Sequence, residues 1–74
     1  MSQQDCLDWL AEQKKLNPYR WFNVKEVQEG LRVKGLGNGT IRNVSKHLLI
    51  LTNWGDLRMR GVGVWNHYKE FRLK

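Results

Sequence analysis

The chain has 74 residues and a formal net charge of +6, from 13 Lys and Arg against seven Asp and Glu. This length allows one small domain (residues 1–74), because a chain of this size buries only about 60–65% of the surface that its unfolded form exposes. It excludes a TIM barrel, a two-lobed kinase and a dinucleotide-binding fold with a substrate domain. Hydrophobic residues make up 41% and charged residues 27% of the sequence, which is typical of a folded globular chain.

The single cysteine and the N-terminal sequence predict a cytoplasmic protein without a membrane partner. Cys6 has no second cysteine with which to form a disulfide, so stability must come from packing. Residues 1–5 contain no basic segment followed by an apolar one, so a secretory signal is not expected. The longest apolar run, residues 48–51, is far shorter than the roughly 18 residues of a membrane span.

Most of the net positive charge lies in the C-terminal half. Residues 1–37 carry six Lys and Arg and five Asp and Glu, whereas residues 38–74 carry seven and two. Nucleic acid is the commonest large anion that a small basic domain meets, so this asymmetry favours nucleic-acid binding. The alternative is a solvated basic surface that only aids solubility.

The first elements are a helix and a short strand. Apolar residues recur at helical spacing over about residues 3–16, and the helix is predicted to end before Pro18, which disfavours the α conformation in the preceding residue. The mostly aromatic stretch 19–22 predicts a short strand.

A second helix is predicted over about residues 24–32. Asn23 followed by Glu26 at the third helical position is a capping pattern, and apolar residues continue behind it at helical spacing. Gly30 lies inside this helix and weakens it by roughly 1 kcal/mol relative to Ala. The glycine-containing stretch 35–39 predicts a turn.

The third helix is predicted to start at Asn38 or Thr40 and to run to about Asn53. A turn of 100° per residue places four apolar side chains on one buried stripe: Ile41, Val44, Leu48 and Leu51. The opposite face carries Arg42, Asn43 and Lys46, with Ser45 between the two faces. A guanidinium, a carboxamide and an ammonium group can read base edges or hold phosphates.

The last predicted element is a β-hairpin. Apolar and charged residues alternate over 57–60 and 70–74, and the segment 61–66, which contains two glycines and Trp65, separates them. The outward face of this hairpin carries three arginines, Arg58, Arg60 and Arg72.

This order of elements is that of an α+β winged helix-turn-helix domain with three helices, a short first strand and a C-terminal hairpin wing. Residues 43–48 (NVSKHL), Leu51 and residues 55–60 (GDLRMR) resemble the recognition helix and first wing strand of MarR/ArsR-like transcriptional regulators of bacteria and archaea. Residues 21–27 (WFNVKEV) resemble the start of the second helix in the same families. The resemblance covers about residues 19–73 and is more specific for the fold than for a subfamily.

The resemblance implies a transcriptional regulator of a prokaryotic or archaeal cell or its virus, associated with the nucleoid. It implies sequence-specific binding of double-stranded DNA through a recognition helix (about 40–53) and a basic wing (about 56–73). The recognition-helix residues expected at the DNA are Thr40, Arg42, Asn43, Ser45, Lys46 and His47. The expected wing residues are Arg58, Arg60, Trp65 and Arg72.

The chain departs from these families in two ways. Eight residues separate Leu31 from Thr40, more than the usual tight turn, and no long C-terminal helix follows the second wing strand. Dimerisation through such a helix, as in MarR-like proteins, is therefore not expected. A single recognition helix binds weakly, so a homodimer on symmetric half-sites stays an open alternative.

Neither an enzyme, a metal site, a cofactor nor a small-molecule ligand is predicted. His47 and His67 are far apart in sequence, with no further ligand at zinc spacing. The glycines of residues 35–39 follow a helix and lack the Lys-Ser/Thr of a phosphate loop, and no carboxylate pair or activated serine is evident.

Two other binding functions stay open. One is a protein-interaction module in a larger nucleic-acid-processing assembly, with Ile50, Trp54 and Trp65 as an apolar patch. The other is RNA binding by stacking of bases on Trp65 or Tyr68. The remaining bulky or soft apolar side chains are predicted to pack in the core or at its rim: Cys6, Trp9, Trp21, Phe22 and Trp54.

Overall fold

The computed structural model of the protein describes residues 3–36, 40–61 and 69–74. Within these ranges the chain forms three helices and three strands, which are α1 (Gln3–Leu16), β1 (Phe22–Asn23), α2 (Val24–Val33), α3 (Ile41–Asn53), β2 (Leu57–Arg60) and β3 (Glu70–Leu73). The strands form one antiparallel sheet in the order β1-β3-β2. This part of the chain is therefore a small α+β domain, as the sequence predicts.

The helix boundaries follow the local signals in the sequence. α1 has the predicted bounds, and α2 extends one residue beyond the predicted end. Thr40 is the N-cap of α3, whereas Asn38, the alternative cap, lies outside the described residues. The first strand differs from the prediction, because β1 begins at Phe22 rather than Tyr19 and is held by pairing of Phe22 with Phe71.

A complete capping box starts α2. The Oδ1 atom of Asn23 accepts a hydrogen bond from the Glu26 backbone N–H at 2.8 Å, and the Glu26 carboxylate accepts one from the Asn23 N–H at 3.2 Å. Two of the N–H groups that a helix start leaves without an intrahelical partner are thereby satisfied.

We expect Asn23→Ala to lower the free energy of unfolding by about 1 kcal/mol, because it removes the acceptor of this cap. Urea denaturation monitored by circular dichroism measures the change. Asn23→Ser, which retains a capping oxygen, should recover most of the loss; equal losses for the two substitutions would contradict the capping role.

The hydrophobic core lies between the three helices and the inner face of the sheet. α1 packs against α2, α3 and β3, and α3 also packs against β2. The Trp9 and Phe22 rings meet edge to face, with centroids 5.1 Å apart, which is a favourable arrangement for aromatic pairs. The buried apolar residues are Cys6, Trp9, Leu10, Phe22, Val24, Val27, Leu31, Val44, Leu48, Leu51, Leu57 and Phe71.

Gly30 is a position at which the Trp9 side chain of α1 lies directly against α2. A Cβ atom placed on Gly30 would overlap the Cε2 and Cζ2 atoms of Trp9, whose indole is buried against this part of α2. The glycine therefore has a packing role that its low helix propensity does not reveal.

Two of the tryptophans expected to pack in or around the core differ from Trp9. Trp54, the C-cap of α3, is 67% exposed, so the expectation of core packing is wrong for this residue. It follows the last buried stripe residue of α3, Leu51, by three positions and lies where the helix ends. Trp21 is only partly buried and contacts arginine side chains rather than the core.

Candidate nucleic-acid interface

The N-terminal end of α3 presents an exposed polar face. Arg42, Asn43 and Lys46 are exposed, while Val44 and Leu48 on the other side of the helix are completely buried. α3 contains no acidic residue, and within the described ranges neither Arg42 nor Lys46 forms an ion pair. Their charges are therefore available to an external anion.

Thr40 fixes where this face begins. Its Oγ1 atom accepts a hydrogen bond from the Asn43 backbone N–H at 3.2 Å. Thr40 is exposed, and its hydroxyl proton can still be donated outward, because accepting one bond uses only a lone pair. The same residue can thus cap α3 and contact a ligand.

Ser45 and His47 are less exposed to solvent than the resemblance implies. Ser45 is 8% exposed, so it belongs to the buried side of α3 and not to the outward face. Ser45 lies about 80° from the centre of the apolar stripe, where helical periodicity is compatible with either a buried or an exposed side chain. Packing against the neighbouring elements therefore decides that it is buried. His47 is partly buried, and its Nδ1 atom is buried without a hydrogen-bond partner among the residues described.

The predicted wing arginines lie together on the outer face of the sheet. Arg58 stands directly opposite Arg72, and Arg60 stands opposite Glu70. Leu57 alternates with these residues and is buried on the inner face. Met59, predicted to face inward like Leu57, is 37% exposed, so the alternation of burial predicted for the hairpin holds only in part. Trp65 lies outside the described residues.

Trp21 joins this group of arginines. The Cζ atoms of Arg60 and Arg72 lie 4.5 and 4.6 Å from the centroid of the Trp21 ring, within the range of cation–π attraction. Arg60 also donates from Nε to Glu70 at 2.9 Å. Arg58 is exposed and forms no ion pair in the part of the chain that the structure describes.

Sequence reasoning missed Trp21 as a member of this surface. The available signal was its position immediately before Phe22, because alternation along a strand places neighbours on opposite faces. Without the pairing of β1 with β3, however, the sequence does not show which arginines Trp21 meets.

Cys6 behaves as a small buried hydrophobe, as predicted. It is completely buried in α1, and burial, with a smaller contribution from Asp5, raises the pKa of its thiol to about 11. The thiol therefore stays protonated at neutral pH, which leaves it a poor nucleophile.

A shallow groove lies between α1, β1 and α2. Trp9 and Phe22 contribute apolar surface to it, and its rim carries Arg20 and Glu26, which form an ion pair with each other. Because these charges neutralise one another, the groove lacks the sign preference of the two arginine-containing surfaces.

Comparisons with protein-family models, with curated proteins and with solved structures returned no match. In the described ranges, no helix is long and apolar enough to cross a membrane. The structure thus defines a small α+β domain with two basic surfaces, one on α3 and one on the outer face of the sheet.

Proposed function

We propose that the protein is a winged helix-turn-helix domain that binds double-stranded DNA and acts as a transcriptional regulator. The order of three helices and an antiparallel sheet supports this fold, as does the packing of α2 against α3. In such domains the recognition helix, which is α3 in this chain, enters the major groove. The hairpin contacts the DNA backbone beside it.

The observation that carries the proposal is the set of exposed polar groups at the start of α3. Arg42 and Asn43 are adjacent, exposed and free of carboxylate partners among the residues described. Arginine pairs bidentately with guanine and asparagine with adenine, so these two residues are the proposed base readers. Lys46, one turn further along α3, is the proposed phosphate contact.

The outer face of the sheet supplies the remaining phosphate contacts. Arg58, Arg60 and Arg72 lie on adjacent strands, so one backbone segment can meet them together. Thr40 and His47 remain proposed contacts at the edge of the α3 surface, and Trp65 remains a proposed wing contact. Ser45 is left out of the contact set because it is buried.

We expect the affinity for duplex DNA to fall steeply with salt. With about four to six phosphates neutralised, the logarithm of the binding constant should fall against the logarithm of salt concentration with a slope of about −3.6 to −5.4. Fluorescence anisotropy of a labelled duplex between low and moderate salt measures this slope. A binding constant that salt leaves unchanged would refute the proposal.

A second candidate function is a protein-interaction module in a nucleic-acid-processing assembly. The high exposure of Trp54 favours it, because large aromatic side chains are enriched at interfaces and Ile50 lies one turn before Trp54 on α3. Failure to bind random duplex DNA at low salt would favour this alternative. Competition with single-stranded RNA tests the RNA-binding alternative, and sedimentation with and without DNA tests for a homodimer.

A further inference from the structure

The outer face of the sheet contains a pair of like charges, and neither member forms an ion pair within the described residues, although Arg72 donates from Nη1 to the Tyr19 carbonyl oxygen at 3.5 Å. Arg58 and Arg72 face each other across β2 and β3, and like charges directly opposite on a sheet destabilise it. The only carboxylate in the described part of this face, that of Glu70, bonds Arg60 rather than either member of the pair. An anion placed between Arg58 and Arg72 would relieve this repulsion.

Trp21 contacts two arginines of this face, Arg60 and one member of the like-charge pair, Arg72. The guanidinium carbons of Arg60 and Arg72 lie within 4.6 Å of its ring centroid. A guanidinium that stacks through its face keeps its N–H donors at its edge, where phosphate oxygens can accept them in pairs. The contacts with the Trp21 ring restrain both side chains before binding and reduce the ordering cost of a phosphate contact.

Glu70 forms an ion pair with one of these arginines, Arg60, in the free protein. Its Oε1 atom accepts from Nε of Arg60 at 2.9 Å, and both side chains are partly exposed. A phosphate approaching this face competes with Glu70 for the same donors. Arg60 can therefore bind a phosphate only after it separates from Glu70. Arg58 and Arg72 are free of ion pairs in the described part of the chain.

We propose that this outer sheet face, formed by Trp21, Arg58, Arg60 and Arg72, is a preorganised site for the sugar–phosphate backbone of nucleic acid. Trp21 is its positioning residue, and Glu70 limits its affinity by pairing with Arg60. This inference deepens the proposed function and rests on it, because it assigns to this face the phosphate contacts of the proposed DNA-binding domain.

The test compares variants of the full chain for affinity and salt slope on a random-sequence duplex. Trp21→Leu should bind about tenfold more weakly, because Arg60 and Arg72 must then be ordered on binding, and its slope should be shallower by about 0.9–1.8, or one to two phosphates. Trp21→Phe retains a ring and should stay within about threefold of the original affinity. A purely structural role for Trp21 would not change the number of phosphates engaged.

Glu70→Gln gives a change of the opposite sign. We expect about threefold or greater tightening and a slope steeper by about 0.9, because Arg60 becomes available for one more phosphate. Glu29→Gln is the matched control, since it removes the same charge from another exposed ion pair, that with Arg32 on α2. It should change the affinity by less than about twofold.

The outcomes separate this inference from the proposed function. If the unmodified protein binds no duplex at low salt, the proposed function is wrong. If it binds but Trp21→Leu retains the original affinity and slope, or Glu70→Gln binds no more tightly than Glu29→Gln, the outer sheet face is not the site. Circular dichroism checks folding, and Glu70→Gln decides the question if Trp21→Leu fails to fold.

Discussion

Replacing Gly30 with alanine is expected to lower the free energy of unfolding by about 1–3 kcal/mol. Helix propensity alone predicts the opposite, a gain of about 1 kcal/mol, because Gly30 lies inside α2. The added methyl group would overlap the indole of Trp9. That indole is buried and packs edge to face on Phe22, so it cannot move aside without disturbing the core.

Urea denaturation of Gly30→Ala measures this effect, and a double-mutant cycle with Trp9→Phe assigns it. The smaller phenyl ring should leave room for the methyl group, so the cost of Gly30→Ala should fall in the Trp9→Phe background. Stabilisation by Gly30→Ala in the unmodified protein would show that α1 and α2 do not approach as closely as the structure has them.

Local signals were sufficient to predict the helices of this protein. Asn23 and Thr40 define helix starts through side-chain oxygens that act within three residues, so their effect is visible in sequence. The role of Gly30 was not predicted, because its low propensity is a local property whereas its contact with Trp9 joins two helices. The sequence pattern therefore predicted that Gly30 weakens α2 but did not predict that Gly30 makes room for Trp9.

The candidate site likewise combines features that local sequence predicts with features that depend on tertiary contacts. The outward face of α3 follows from the 100° repeat, which predicted that Arg42 and Lys46 are exposed. Ser45 lies at the margin of the apolar stripe, where periodicity does not decide between burial and exposure. The contacts of Trp21 depend on how β1 pairs with β3, and this long-range register is not encoded in any local pattern.

Arg42→Ala is expected to weaken binding to the preferred DNA sequence by about 1–3 kcal/mol, or about 5- to 150-fold. The side chain is exposed in the first turn of α3 and has no carboxylate partner among the described residues, so its loss should affect DNA binding more than folding. Selection from a random duplex pool first identifies the preferred sequence. Titration of that sequence and a scrambled one then measures both affinity and discrimination.

Matched substitutions separate base reading from charge. Lys46→Ala should weaken the preferred and scrambled duplexes alike and make the salt slope shallower by about 0.9, because a phosphate contact carries no sequence information. Lys15→Ala removes the same charge from an exposed position of α1 and should leave discrimination unchanged. In contrast to Lys46→Ala and Lys15→Ala, Arg42→Ala should lower the ratio of the affinity for the preferred duplex to that for the scrambled duplex. If it weakens both duplexes equally, Arg42 contacts phosphate and the base-reading role falls to Asn43, whose replacement by Ala must then reduce discrimination.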